Sequence, residues 1–186
     1  HGFLRLPRQS DGRWDLAAAT YHPLLVMAEH GEQRSWLRLQ RLLSRYDGWP
    51  ILHYGETETL SLRRLAQRQG ASDAQLRRLK RRLVDVHARI RSHWRLPLSS
   101  YGLKSVAAWR GFRWSQAGVD GARALLWWRQ WLGEGPKRRG SRHGLAWIFR
   151  YNQDDCRATW AVAEWLLKED DLLKTGPDTD QPTAGP

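Results

Sequence analysis

The pattern of apolar and polar positions divides the chain into an early part of short apolar runs and a later part of helical periodicity. Residues 1–6 (HGFLRL) read as a strand stopped by Pro7, and Asp11-Gly12 supplies turn chemistry behind it. Residues 21–28 (YHPLLVMA) read as a second strand, so the two runs predict a hairpin. Over 32–46, Trp36, Leu39, Leu42 and Leu43 recur at helical spacing with arginines opposite, and Asp47-Gly48 ends that amphipathic helix. Residues 50–54 (PILHY) form a short apolar run with the character of a buried strand. Gly55-Glu56-Thr57-Glu58 follows at once, and Thr57 is the expected cap of a helix carrying Leu60, Leu62 and Leu65 as far as Gly70. Ser72-Asp73 signals the start of another helix, and residues 83–87 (LVDVH) predict a short strand with Asp85 at its centre.

Beyond residue 100 the pattern is helical. Leu103, Val106, Ala107 and Trp109 share one face, with Lys104 and Arg110 on the other. Asp120-Gly121 opens a helix to about Leu132, and residues 133–144 (GEGPKRRGSRHG) read as a basic loop. A long helix is expected from Trp147 to about Lys168. From about Lys174 the Pro, Gly, Thr and Asp content predicts a disordered tail. Strands early, helices late and a strand–helix unit between them imply an α/β domain over residues 1–173, a mixed sheet flanked by helices, with the tail at 174–186.

Composition narrows the classes of function. The 186 residues carry 41% hydrophobic and 27% charged side chains, a globular balance able to bury a core. The net charge of +12 favours an anionic partner, with nucleic acid first, against the plainer reading of a solvated basic surface. Twelve tryptophans, several interleaved with arginine, suit base stacking as well as an aromatic core. One cysteine excludes an internal disulfide framework. No apolar run approaches the roughly 18 residues a membrane helix needs. No signal peptide is visible, and a cytoplasmic location is the expectation.

Candidate chemistry centres on the long helix. Tyr151 and Asp155 lie four residues apart, hence one turn apart on one face. That face is otherwise apolar, through Ile148, Ala158 and Val162. A carboxylate there needs a cation or hydrogen-bond donors, unless it sits in a solvated turn. Asp154 points about 100° away, toward solvent or a neighbouring group to cap. At the end of the central strand stand His53, Glu56 and Glu58, where ligand groups gather in α/β sheets. Neither His53 nor His87 has the spacing of a zinc site, and both read as structural.

Three stretches in order carry a family resemblance. Residues 50–58 (PILHYGETE) resemble the second motif of a ribonuclease H-like exonuclease domain. Residues 100–106 (SYGLKSV) resemble its Ser-x-Leu-Lys helix start. Residues 151–156 (YNQDDC) resemble its third motif, Tyr-x-x-x-Asp. Together, with Phe112-Arg113-Trp114 and Asp120-Gly121 between them, they are similar to the YprB-type ribonuclease H-like (DEDD-type) exonuclease domain of RecB-like nucleases.

The resemblance implies a nuclease that hydrolyses phosphodiester bonds of DNA or RNA, 3′–5′ exonucleolytic in direction, with two Mg²⁺ or Mn²⁺ ions held by four acidic residues. It assigns Glu58 and Asp155 as metal ligands and Tyr151 as the group orienting the attacking water. Lys104 and Arg150 are the expected phosphate contacts. Such ions are hard cations that want oxygen ligands, and this accounts for carboxylates at these positions. The family's first motif, Asp-x-Glu on the first strand, does not occur in this sequence. The expectation is therefore a domain missing its first strand, preceded in its parent protein by a RecB-like region and inactive as these 186 residues stand. The competing readings are a non-catalytic basic nucleic-acid-binding module and an assembly module.

Overall fold

The computed structural model describes residues 2–24, 31–134 and 141–170. In chain order the elements are β1 (Gly2–Arg5), β2 (Thr20–Pro23), α1 (Gly31–Arg45), β3 (Ile51–His53), α2 (Glu56–Arg68), α3 (Asp73–Arg82), β4 (Leu83–Asp85), α4 (Val86–His93), α5 (Leu103–Trp109), α6 (Gly121–Glu134) and α7 (Ser141–Asp170). The expected hairpin forms, with β1 antiparallel to β2 and Phe3 opposite His22. The second strand is shorter than the apolar run suggested, ending at Pro23, and residues 25–30 lie outside the described residues.

Instead of one mixed sheet, the described residues form two strand pairs, β1–β2 and a parallel pair β3–β4 with Ile51 beside Leu83 and His53 beside Asp85. The pairs are not hydrogen-bonded to each other, yet they share one layer. On one side, Phe3, Ile51 and Leu83 pack with the helical core of Leu39, Leu62, Leu65 and Leu79 from α1–α3. On the other, Leu52 joins the core of Val86, Ile90, Val106, Ala158 and Val162 from α4, α5 and α7. The alternation of strand side chains between faces sends Ile51 one way and Leu52 the other. Helix α7 runs against both β1 and β3 and so bridges the two strand pairs. Gly2 fits closest to it: a Cβ there would stand 1.9 Å from Asn152 Oδ1.

The helical layer of α1–α3 is tied by its own polar groups. Ser72 and Gln75 form a reciprocal capping box at the start of α3, as the Ser72-Asp73 signal predicted. At the other end of α3, Arg82 donates to the carbonyls of Leu43, Tyr46 and Trp49 at 3.0, 2.7 and 2.9 Å. It thereby satisfies carbonyls that the end of α1 leaves without helical partners.

The turn between β3 and α2 departs from expectation. Helix α2 starts at Glu56 with Gly55 at its N-cap, not Thr57, and no side chain caps it. Gly55 has φ 86° and ψ −176°, a conformation open essentially to glycine, so strand passes into helix through two residues, Tyr54 and Gly55. Glu56 and Glu58 in the first turn complement the positive end of the helix.

Two side chains hold that turn. The His53 Nδ1–H donates to the Gly55 carbonyl at 2.8 Å, and Nε2 is hydrogen-bonded with the Thr59 hydroxyl at 3.1 Å. Asp85 Oδ1 accepts the Gly55 amide at 3.0 Å and the His87 and Ala88 amides at 2.9 and 3.2 Å. Asp85 is thus the last residue of β4 and the N-cap of α4, not the centre of a longer strand. The switch occurs there because its carboxylate captures the first free amides of the helix.

The basic loop expected at 133–144 is narrower. Residues 133–134 end α6 and 141–144 begin α7, while 135–140 lie outside the described residues. Residues 171–186, which include the whole predicted tail, also lie outside them. Among the described residues no helix is long and apolar enough to cross a membrane.

Two stability outcomes follow from these contacts. Leu39 is fully buried, so Leu39→Ala is expected to cost about 3 kcal/mol in urea unfolding. Asp85→Ala is expected to cost about 1–2 kcal/mol, while Asp85→Asn, which keeps an acceptor oxygen, recovers most of the loss. Equal midpoints for wild type and Asp85→Ala would contradict the role given to this carboxylate.

Candidate active site

Helix α7 carries the two residues singled out from its periodicity. Its Ala158, Trp160, Val162, Ala163 and Leu166 are buried, so the helix is anchored on its apolar side and its preceding turns are fixed in rotation. Tyr151 and Asp155 are both partly buried, and the Tyr151 hydroxyl is near enough to help hold down the Asp155 pKa. Burial raises the Asp155 pKa above the ordinary carboxylate range. The Trp114 indole, the Lys104 ammonium and the Tyr151 hydroxyl oppose that rise, and the neighbouring Asp154 adds to it. Burial, then the Asp155 charge, pushes the Tyr151 hydroxyl up to about 12, so it remains a proton donor at neutral pH.

The loop between α5 and α6 closes over this face. Trp114 Nε1–H donates to Asp155 Oδ1 at 2.9 Å. Asp154 takes both the Ser115 amide and the Ser115 hydroxyl on Oδ2, at 2.8 and 2.7 Å. Asp154 is only 9% exposed, so of its two expected settings the structure shows the capping of a neighbouring group. Lys104, at the start of α5, donates its ammonium to the Val119 carbonyl. The same ammonium lies 5.8 Å from the Trp114 ring centre and 5.4 Å from that of Tyr151. Its positive charge therefore stands among the groups that surround Asp155.

Glu58 approaches from α2. The residue is exposed overall, but its carboxyl group sits against enough protein for burial to raise its pKa, with His53 lowering and Asp85 raising it further. Cys156 connects the two halves. Its thiol faces the Gly2 carbonyl at 3.7 Å and is pushed up to about 12, by burial first and then by the charges of Asp155 and Glu58. Neither carboxylate is among the groups that shift the other's pKa. Glu56, two residues before Glu58 on the same helix, is turned about 200° away and exposed. Arg150 is exposed on α7, about 140° round the helix from Asp155, and stands apart from the groups above.

Trp114 and Tyr21 are neighbours of Asp155 that sequence reasoning did not single out. Tyr21 donates its hydroxyl to Asn152 at 2.7 Å, and its pKa is raised by burial and then by Cys156 and Asp155. The available signal was the Trp114 N–H, a donor-only group that wants a partner when partly buried. Nothing local in sequence pairs it with a residue 41 positions on.

Chemically, the Asp155 carboxylate is the oxygen ligand a hard divalent cation takes, and the Lys104 ammonium near it is the charge a phosphate takes. Among the described residues, no group of three or more His, Cys, Asp or Glu side chains comes together as a metal cluster. Glu58 and Asp155 therefore match such a cation in residue type alone.

No curated protein and no solved structure matches this chain significantly. A family model described as RNase_H superfamily matches residues 15–167, a span that holds both carboxylates, Tyr151, Lys104 and Trp114. On that match over most of its length, the chain belongs to the RNase_H superfamily.

Proposed function

We propose that the chain is a metal-dependent nuclease domain acting on phosphodiester bonds of nucleic acid, with Glu58 and Asp155 as ligands of Mg²⁺ or Mn²⁺. The observation that carries this reading is the partly buried Asp155 of α7, with the Trp114 indole on its carboxylate and the Lys104 ammonium nearby, inside the span that the superfamily model matches. Membership of the superfamily supports a nucleic-acid substrate and hydrolytic chemistry. Divalent cations bound here supply Lewis acidity toward the attacking water and the leaving oxygen.

The side chains have separate tasks in this reading. The Tyr151 hydroxyl, near Asp155, orients the attacking water. Lys104 offers its ammonium to a phosphate oxygen beside Asp155. Arg150, farther round α7, contacts the backbone away from the reacting group. The remaining acidic ligands are assigned to an Asp-x-Glu strand of the parent protein, in the YprB-type arrangement with a RecB-like region. The 3′–5′ polarity follows from the same resemblance. These 186 residues contain no Asp-x-Glu, so the reading expects them alone not to turn over substrate.

A second reading, nucleic-acid binding without chemistry, draws on the absence of a three-ligand cluster among the described residues and on the net charge of +12. Metal binding separates the two. Mn²⁺ titration followed by electron paramagnetic resonance is expected to show binding by wild type that Glu58→Gln combined with Asp155→Asn removes. Unaltered binding in the double variant would defeat the metal-site assignment.

Asp155 also has a stability signature. Its folded-state pKa is raised, so the fold favours the protonated form and loses that contribution as pH rises through the raised value. Asp155→Asn keeps an acceptor for Trp114 without a charge, and its melting temperature at pH 7 is expected to equal or exceed that of wild type. A clear fall would mean that the ionised carboxylate stabilises the fold. Turnover by the 186-residue chain, abolished in Asp155→Asn, would overturn the expectation of inactivity while supporting the site.

A further inference from the structure

We propose a second contact surface for nucleic acid, on the helical layer opposite the one that carries Asp155. There the arginines of α1 hold the phosphates of a single strand, and the cleft beside them takes one of its bases. The class of partner rests on the nucleic-acid reading of the chain, while the surface itself needs no cation.

Charge is concentrated in this part of the molecule. Residues 31–95 hold 15 of the 31 Lys and Arg residues but only 6 of the 19 Asp and Glu residues, so they carry 9 of the net +12 charge. All but Lys80 of these cations are arginine. The acids among them are already engaged. Glu32 pairs with Arg68, Asp47 pairs with Arg78, and Asp85 accepts three amides. Glu56, Glu58 and Asp73 stand in the first turns of α2 and α3.

On α1 the surplus forms a row. Arg34, Arg38, Arg41 and Arg45 are spaced four, three and four residues apart, and all four are exposed. At about 100° and about 1.5 Å per residue they fall within about 60° of one another along about 16 Å of the axis. Trp36 and Leu39 turn a different flank of the helix into the core. Among the described residues no ion pair or hydrogen bond takes up the Arg34, Arg38 or Arg41 guanidinium, and Arg45 lies over the Tyr46 ring at 5.9 Å. Like charges one turn apart on a helix repel each other, a cost that a bound polyanion removes. A guanidinium is a planar fork that grips phosphate through two N–H bonds. The row matches the axial length of about five nucleotides of one strand.

The flank of α1 next to this row lines a cleft of about 250 Å³ with the turn between α2 and α3. Trp36 and Leu37 give the cleft apolar surface, and Gln33, Gln40, Gln69 and Gln75 give it amides. Leu37 is 44% exposed and lies about 40° round the helix from Arg41, so cleft and row adjoin. Gln75 Oε1 accepts the Ser72 amide at 2.8 Å and Gln69 Nε2 reaches Glu32 at 3.4 Å. Among the described residues no hydrogen bond takes up the amides of Gln33 and Gln40. A glutamine amide both donates and accepts, so it meets the edge of any base. No charged residue lines the cleft, which suits a base, while the phosphates have the row. Paired bases keep their edges and faces inside the duplex, so a cleft of this kind selects an unpaired strand. A membrane surface would call for several apolar anchors beside the cations, and on α1 only Leu37 is a large exposed apolar side chain.

The test measures binding of the 186-residue chain to a short fluorescent oligothymidylate by anisotropy over a range of salt concentrations. One variant combines Arg34→Gln, Arg38→Gln, Arg41→Gln and Arg45→Gln. A control removes the same charge from exposed positions of α4 and α6, with Arg89→Gln, Arg91→Gln, Arg123→Gln and Arg129→Gln. The row variant is expected to flatten the slope of log affinity against log salt by about 3 and to bind on the order of a hundredfold more weakly at low salt, and the control to show roughly a third of either effect or less. Arg38→Gln with Arg41→Gln alone is expected to give about half the change in slope, and it carries the test if the fourfold variant fails to fold. A strand with the same phosphates and no bases is expected to bind wild type roughly tenfold more weakly, a difference that Gln33→Ala with Gln40→Ala reduces. A blunt duplex of the same length is expected to bind more weakly than the strand.

Equal losses in the row variant and the control would mean a solvated basic face and overturn the surface. So would a duplex held as tightly as the strand, or a row variant whose only deficit is on vesicles of anionic phospholipid. Each of these results leaves the Mn²⁺ titration of Glu58 and Asp155 untouched. Failure of wild type to bind any nucleic acid at low salt overturns the surface together with the nucleic-acid reading.

Discussion

The structure depends on a carboxylate placed where a helix would otherwise carry only core. Helix α7 packs along both strand pairs, and its buried residues leave no freedom to rotate Asp155 out to water. An ionised group in such a place is costly unless donors surround it. The protein meets that cost with an indole, a phenol and a nearby ammonium, and burial still dominates the Asp155 pKa. A chain selected for stability alone has a simpler answer, an apolar residue. A carboxylate with a burial-shifted pKa among such donors is what makes Asp155 a candidate functional group.

The other half of the site is built by backbone economy. Parallel pairing sets His53 beside Asp85, and both side chains reach the turn at Gly55. The glycine conformation lets α2 begin shortly after β3, so Glu58 is presented on the first turn of a helix and not on a loop. A carboxylate on a short, doubly held turn has few alternative positions. One strand–helix turn and one long helix thus carry the two candidate acids, Glu58 and Asp155.

Much of the element order was legible in the sequence because apolar spacing is a local signal. The amphipathic α1, the Ser72 cap and the helix carrying Tyr151 and Asp155 all follow from residues within a turn or two of each other. Thr57 misled because a good capping residue stood at the second position of a helix whose start was decided by Gly55. The end of β4 was misplaced because Asp85 acts on amides 30 positions back as well as on those just ahead. The division of the strand layer into two pairs, in place of one mixed sheet, depends on long-range hydrogen bonding that periodicity does not encode. For the site, acid types and order were readable, while the Trp114–Asp155 bond was not, since its partners meet only through packing of α5, α6 and α7.

The central claim is that the acids of α2 and α7 serve one cation site. A crystal grown or soaked in Mn²⁺ and measured at the manganese absorption edge tests it most directly. The account predicts an anomalous peak at bonding distance from carboxylate oxygens of both Glu58 and Asp155, with Trp114 still on Asp155 Oδ1. Anomalous density confined to other surface acids, with the Glu58 and Asp155 carboxylates turned away from each other, would contradict it.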